Sequence, residues 1–111
     1  VDEAKALLQQ IHLERPRDAR VANNLGNVAL LEDEAQTAIK LYKKAARISP
    51  WALEPRFNMC LAYSELGESE KSLYSYYEYV QIKRIIRLGK TLLVGGLLTV
   101  AVVLFYTWIM C

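Results

Sequence analysis

Apolar and small residues recur at helical spacing along residues 1–84, and turn-forming residues interrupt them at intervals. The interruptions are Pro16, the acidic run 32–34, Pro50 and Gly67. The pattern predicts helices over residues 1–14, 19–31, 34–48 and 55–66, and a fifth that starts near residue 68. We therefore predict an all-α fold.

The stretch 19–50 explains the spacing of the rest. Gly26 and Ala38 are small enough for two helices to approach closely, and Tyr42 supplies bulk between them. Pro50 ends the second helix because proline cannot continue it. Similar residue types recur at a constant offset along the chain, with Ala4, Leu8, Ile11 and Pro16 upstream and Ser72 and Tyr76 downstream.

This pattern resembles the tetratricopeptide repeat (TPR), a 34-residue helix-turn-helix unit. The resemblance holds at Leu25, Gly26, Ala38, Tyr42, Ala45 and Pro50, and fails at Ala22 and Ala29. It implies an array of antiparallel helix pairs over residues 1–84, made of a partial repeat 1–16 and the repeats 17–50 and 51–84. Because the first helix of the partial repeat is missing, we expect the sequence to be part of a longer chain. An unrelated helical bundle with apolar stripes is the alternative.

Local signals support these boundaries. Asp18 is a predicted N-cap, because its carboxylate can accept hydrogen bonds from first-turn amides. Leu66 and Gly67 are expected to form the turn between the two helices of the last repeat. By register, Tyr76 and Val80 are expected to lie in the core.

Residues 91–111 contain no charged side chain. A helix of this length would span about 31 Å, close to the hydrocarbon thickness of a bilayer. Three aromatic residues near its end are typical of a membrane interface: Phe105, Tyr106 and Trp108. We therefore predict a single-pass membrane protein with a C-terminal transmembrane helix over residues 91–111.

A basic juxtamembrane segment precedes this helix. Every acid lies before residue 83, and four cations follow: Lys83, Arg84, Arg87 and Lys90. The positive-inside rule then predicts that the TPR region lies on the cytoplasmic or equivalent side, with Cys111 across the membrane. The juxtamembrane segment is predicted over residues 85–90, and all four cations are expected to lie at the lipid surface.

The resemblance implies that the first helices of the repeats line a groove for partner proteins. The residues expected to face it include Arg20, Asn23, Asn27 and Phe57. A clamp for acidic chaperone tails is disfavoured, because its lysine and arginine positions hold Asn23, Leu88 and Leu92.

A second predicted surface lies on the fifth helix, which contains Tyr74, Tyr76, Tyr77 and Tyr79. One neighbouring helix cannot cover all of them, since they point around the cylinder. No proline ends this helix near residue 84, and Gly89 alone costs about 1 kcal/mol. We therefore expect one helix to run on to about residue 110, leaving Tyr74, Tyr77 and Ile82 uncovered for another subunit, with Tyr79 also at the partner surface.

The sequence disfavours catalysis. It has one His, no metal-ligand cluster and no glycine-rich nucleotide loop, so we expect no cofactor, metal or small-molecule substrate. The basic residues are not spread over the repeats as in a nucleic-acid binder. We predict a membrane-anchored TPR scaffold or adaptor, as a structural or assembly subunit of a membrane complex that contacts other protein subunits and the lipid bilayer. The alternative is a tail-anchored receptor of the organelle import or fission type, which captures cargo in the groove.

Overall fold

A computed structural model describes residues 2–110. Five helices account for most of this range: α1 Asp2–Glu14, α2 Ala19–Leu31, α3 Ala35–Ile48, α4 Glu54–Glu65 and α5 Ser69–Met110. The ends of α1 to α4 lie at the predicted positions or directly beside them. The prediction of an all-α fold is confirmed.

Residues up to Val80 form one compact unit, in which consecutive helices pack side by side. The α2 helix packs against α3, which packs against α4, and α1 covers the outer side of α2. Lys5 of α1 pairs with Glu32 at the end of α2 over 2.7 Å.

The two inter-helix turns have the same hydrogen bond at equivalent positions of their repeats. In the first turn the amide of Glu34 donates to the carbonyl of Ala29, and in the second Glu68 donates to Tyr63. Such bonds close a Schellman motif, in which the residue before the donor adopts positive φ. That residue is Asp33 with φ 61° in the first turn and Gly67 with φ 72° in the second.

Both local predictions at helix ends are confirmed. The turn predicted at Leu66 and Gly67 is present, and it separates α4 from α5. Asp18 is the N-cap of α2, and its carboxylate accepts a hydrogen bond from the Arg20 amide over 3.0 Å.

The core centres on Tyr42, which is completely buried. Its ring lies against Gly26, and a Cβ atom built on that glycine would come within 2.5 Å of Tyr42 Cε1. The predicted close approach at Gly26 is therefore present. The other members of the cluster are Ala29, Ala38, Ile39, Met59, Ala62 and Tyr63.

The prediction that Tyr76 and Val80 are core residues is wrong. Tyr76 is 48% exposed and Val80 is 37% exposed. Two causes act together. No described helix follows α5 to cover this side, and the position equivalent to Gly26 is Cys60, which carries a side chain where the glycine has none. Ser72 Oγ instead donates to the Cys60 carbonyl over 3.0 Å.

The α5 helix runs without interruption from Ser69 to Met110, as the absence of a proline near residue 84 predicts. By length and composition it is the one described helix that could cross a membrane. Residues from Gln81 onward form the second compact unit. The predicted position of Cys111 lies outside the described residues.

Candidate protein-interaction surfaces

Asparagine side chains connect α2 and α4 on the face predicted to line the groove. Asn58 Nδ2 of α4 donates to Asn23 Oδ1 and to Asn27 Oδ1, each over 3.1 Å. The hydroxyl of Tyr42 donates to the same Asn27 oxygen over 2.8 Å. Asn23 Nδ2 completes the network by donating to Glu54 Oε2 over 3.3 Å. These amides hold the two first helices of the repeats together.

The predicted groove residues are of two kinds, buried and exposed. Asn23 is only 4% exposed, and its polar atoms bond within the fold. Asn27 and Arg20 are exposed, and Arg20 Nε lies 3.5 Å from an Asp18 carboxylate oxygen. Phe57 is exposed on α4, with its ring 5.4 Å from that of Tyr79. The face therefore exposes a cation, an amide and an aromatic ring.

Burial sets the ionisation of the central tyrosine. Removal of its hydroxyl from water, with the negative charge of Glu65 as a second cause, raises the pKa of Tyr42 to about 12. The phenol is therefore neutral at physiological pH and serves as a hydrogen-bond donor to Asn27. Its part is structural.

The first turns of α5 expose an apolar and aromatic surface. Leu73 is 69% exposed, and Tyr74 and Tyr77 are exposed as well. Tyr76 packs beside the half-buried Tyr79, with ring centroids 6.0 Å apart. Among the described residues of α5, Ser75 alone is buried.

The repeat register shows which part of this surface has a covered counterpart. Tyr74 and Tyr77 correspond to Lys40 and Lys43 of α3, which are exposed. Leu73 and Tyr76 instead correspond to Ile39 and Tyr42, which are 3% and 0% exposed.

The predicted partner surface contained the tyrosines and did not include Leu73. The repeat register could have identified Leu73. It is equivalent to Ile39 of the preceding repeat, which is a core residue.

A cleft of about 630 Å³ lies beside this surface, between α3 and the start of α5. Met59 and Tyr63 contribute apolar side chains to it, and Tyr74 also lines it. Lys43 and Glu70 give it charges of both signs. Among the described residues, no group of His, Cys, Asp and Glu side chains is arranged to hold a metal ion.

The second unit, from Gln81 onward, exposes its cations and the aromatic residues near its end. Lys83, Arg84, Arg87 and Lys90 are all exposed on α5. The aromatic residues predicted to lie at a membrane interface, Phe105, Tyr106 and Trp108, are exposed as well. Phe105 and Trp108 stack on one side of the helix, with ring centroids 6.3 Å apart. An exposed apolar helix with its backbone hydrogen bonds satisfied internally is what a lipid-facing segment requires.

Comparison with solved structures identifies the fold. Three structures of MamA, a TPR-like all-helical protein, match with TM-scores of 0.72, 0.71 and 0.70 at 20%, 20% and 23% sequence identity. The fold is TPR-like. The matches cover 75% of this chain and 48%, 48% and 45% of the MamA chains, so the chain spans about half the length of MamA. No protein-family model matches the sequence, and no curated protein matches it.

Proposed function

We propose that this protein is a single-pass, membrane-anchored scaffold whose TPR-like unit binds other proteins, as a structural or assembly subunit of a membrane complex. It performs no catalysis and uses no cofactor, nucleic acid or small-molecule substrate. The observation that carries the proposal is the continuity of α5. One helix supplies the last element of the repeats and also the uncharged segment that is long enough to cross a bilayer.

Residues 91–111 are the proposed span, and the basic residues at 83–90 bind anionic headgroups on the same side as the repeats. Each cation near such a surface contributes about 1 kcal/mol. The ring pair of Phe105 and Trp108 suits the opposite interface, where aromatic residues are enriched. These features support a cytoplasmic or equivalent location of the TPR-like unit.

Partner subunits bind, in this proposal, at the start of α5. Exposed aromatic side chains at residues 74 and 77 and the half-buried Tyr79 supply the kind of surface that is enriched in protein interfaces. An apolar patch on a repeat unit beside a membrane favours a permanent neighbour over a solvated face.

Two measurements on the full chain test this proposal. The protein should remain in the membrane pellet after alkaline carbonate extraction, whereas a variant that ends at residue 90 should become soluble. From mild detergent, the full chain should co-purify with other subunits at fixed stoichiometry, determined by native mass spectrometry. A carbonate-soluble full chain, or a chain that purifies alone, would refute the scaffold proposal.

A receptor function is the second candidate, and the exposed inner-face residues favour it. Arg20, Asn27 and Phe57 present a cation, an amide and an aromatic ring to solvent. A receptor should lose cargo when Arg20→Ala and Phe57→Ala are combined, and its partners should be substoichiometric. A structural subunit should keep its stoichiometric complex in the same double variant.

A further inference from the structure

The exposed stripe on α5 has a covered counterpart within the same chain. Leu73, Tyr76 and Val80 occupy the positions of the last repeat that correspond to Ile39, Tyr42 and Ala46 in the preceding one. On α3, Ile39 and Tyr42 are core residues, and Ala46 packs against the core cluster. These positions are therefore covered on α3 and exposed on α5, although they are equivalent in the two repeats.

What covers the α3 stripe is the next helix. Met59, Ala62 and Tyr63 of α4 belong to the same core cluster as Ile39 and Tyr42. After α5 no such helix can follow directly in the chain, because the residues that would form it continue α5 as far as Met110. By analogy with α4, the element that would cover the α5 stripe is a helix with a small residue flanked by large apolar ones at helical spacing.

Cys60 adds a requirement for this missing helix. Gly26 leaves room for the Tyr42 ring, whereas Cys60 contacts Ser72 in the equivalent place, with Sγ 3.3 Å from Oγ. The Tyr76 side chain is 48% exposed, and its ring lies beside that of Tyr79. A partner must receive this ring, which a helix with a small residue opposite it can do, as Ala62 does on α4.

A second copy of this chain fits the stripe poorly. Two copies anchored with the same orientation would pack their α5 helices in parallel. That arrangement would bring the four cations at residues 83–90 of each chain beside the same four of the other, with no acid in either segment. Like charges at such distances oppose association.

We propose that one amphipathic helix of a different protein packs on the stripe of Leu73, Tyr76 and Val80, in the way that α4 packs on α3. The inference rests on the proposed scaffold function and names the structural element that the partner contributes. Tyr77 and Tyr74, the counterparts of exposed lysines, lie at the rim of this interface.

The test uses the full chain in phosphatidylcholine nanodiscs and a peptide probe. The probe is a fluorescent peptide with the sequence of residues 51–68, which contains α4, stapled on its polar face to reduce the entropic cost of folding. The control peptide has the same sequence with Met59→Asp and Tyr63→Asp. Binding is measured by fluorescence anisotropy for the wild-type chain and for two double variants.

The wild-type chain should bind the probe saturably and should not bind the control peptide. Leu73→Ala with Tyr76→Ala should weaken binding at least about tenfold, because both side chains lie at the centre of the stripe. Tyr74→Ala with Tyr77→Ala removes more aromatic area, but should weaken binding less than about threefold. All four substituted side chains are exposed, so both variants should keep the fold, as circular dichroism can verify.

Three outcomes of the binding assay would overturn the inference: no saturable binding by the wild-type chain, equal binding of the control peptide, or a greater loss in the variant of Tyr74 and Tyr77. A wild-type dimer in nanodiscs that dissociates on Leu73→Ala would also overturn it, in favour of a second copy. These failures differ from a failure of the scaffold function, since carbonate extraction and co-purification do not depend on the probe.

Discussion

Gly26→Ala is the sharpest test of how the two helices of a repeat fit together. A Cβ atom on this residue would lie 2.5 Å from Cε1 and 2.7 Å from Cδ1 of Tyr42. Ordinary carbon contacts are about 3.5–4.0 Å, so the ring or the helix must move by about 1 Å. The ring cannot swing freely into solvent, because Tyr42 is fully buried and its hydroxyl is bonded to Asn27.

The expected magnitude follows from three contributions. Overpacking of a buried core costs about 1–3 kcal/mol, and a contact at 2.5 Å with a fixed ring belongs at the upper end. Loss of the Tyr42–Asn27 hydrogen bond, if the ring shifts, adds about 1 kcal/mol. The higher helix propensity of alanine returns about 1 kcal/mol. We expect Gly26→Ala to lower the free energy of unfolding by about 2–3 kcal/mol.

Amide hydrogen exchange of the full chain in detergent, analysed by mass spectrometry, can measure this loss in peptides from α2 and α3. The method isolates the repeats from the apolar end of α5, whose protection would dominate a global helix signal. Gly89→Ala is the matched control, because a Cβ atom there would meet nothing within 4 Å. The control should leave exchange in α2 and α3 unchanged.

Unchanged or slower exchange in Gly26→Ala would refute this account of the helix contact. A second comparison strengthens the test. Tyr42→Leu alone should destabilise by leaving a cavity, but combined with Gly26→Ala the total cost should be less than the sum of the two, because the smaller side chain leaves space for the methyl group.

Three further predictions concern other parts of the molecule. Because the pKa of Tyr42 is raised to about 12 from its ordinary value near 10, the folded state keeps a proton that the unfolded chain releases. The free energy of unfolding should therefore fall as pH rises from about 10 to about 12, by up to about 2–3 kcal/mol, and Tyr42→Phe should lack this part of the decline in urea titrations. Residues 1–84 alone should be marginally stable, since repeat arrays need about three repeats; a cooperative melt of the monomeric fragment at high temperature would contradict this. In sealed vesicles with the cytoplasmic face outward, added protease should digest the repeats, and their protection would show that the orientation inferred from residues 83–90 is wrong.

Much of the fold could be predicted from the sequence because repetition supplies internal checks. Ala4 and Ala38 are small residues at equivalent positions, and Pro16 and Pro50 end equivalent helices. This recurrence is why the predicted boundaries of α1 to α4 agree so closely with the structure. The long α5 helix was predictable from the absence of a proline near residue 84. These signals are local, so a single sequence suffices to detect them.

The candidate surfaces were less predictable, since they depend on what lies opposite each side chain. The repeat register predicts Tyr76 in the core, but burial also needs a covering helix, and no described helix follows α5. The pairing of Asn58 with Asn23 and Asn27 also depends on how closely two first helices approach. Periodicity assigns a residue to a face of its own helix and does not reveal the neighbours on that face.

The two Schellman turns have a consequence for how such an array can grow. The unit that runs from one turn to the next is residues 34–67, so a duplicate of it inserted after Gly67 would begin and end in equivalent turns, and each new helix would meet a neighbour like its present one. No duplication can be added after α5, because its residues continue directly into the apolar segment. Lengthening by repeat duplication is therefore confined to the side of the array away from the proposed anchor, and the helix at the membrane stays the same in a longer protein.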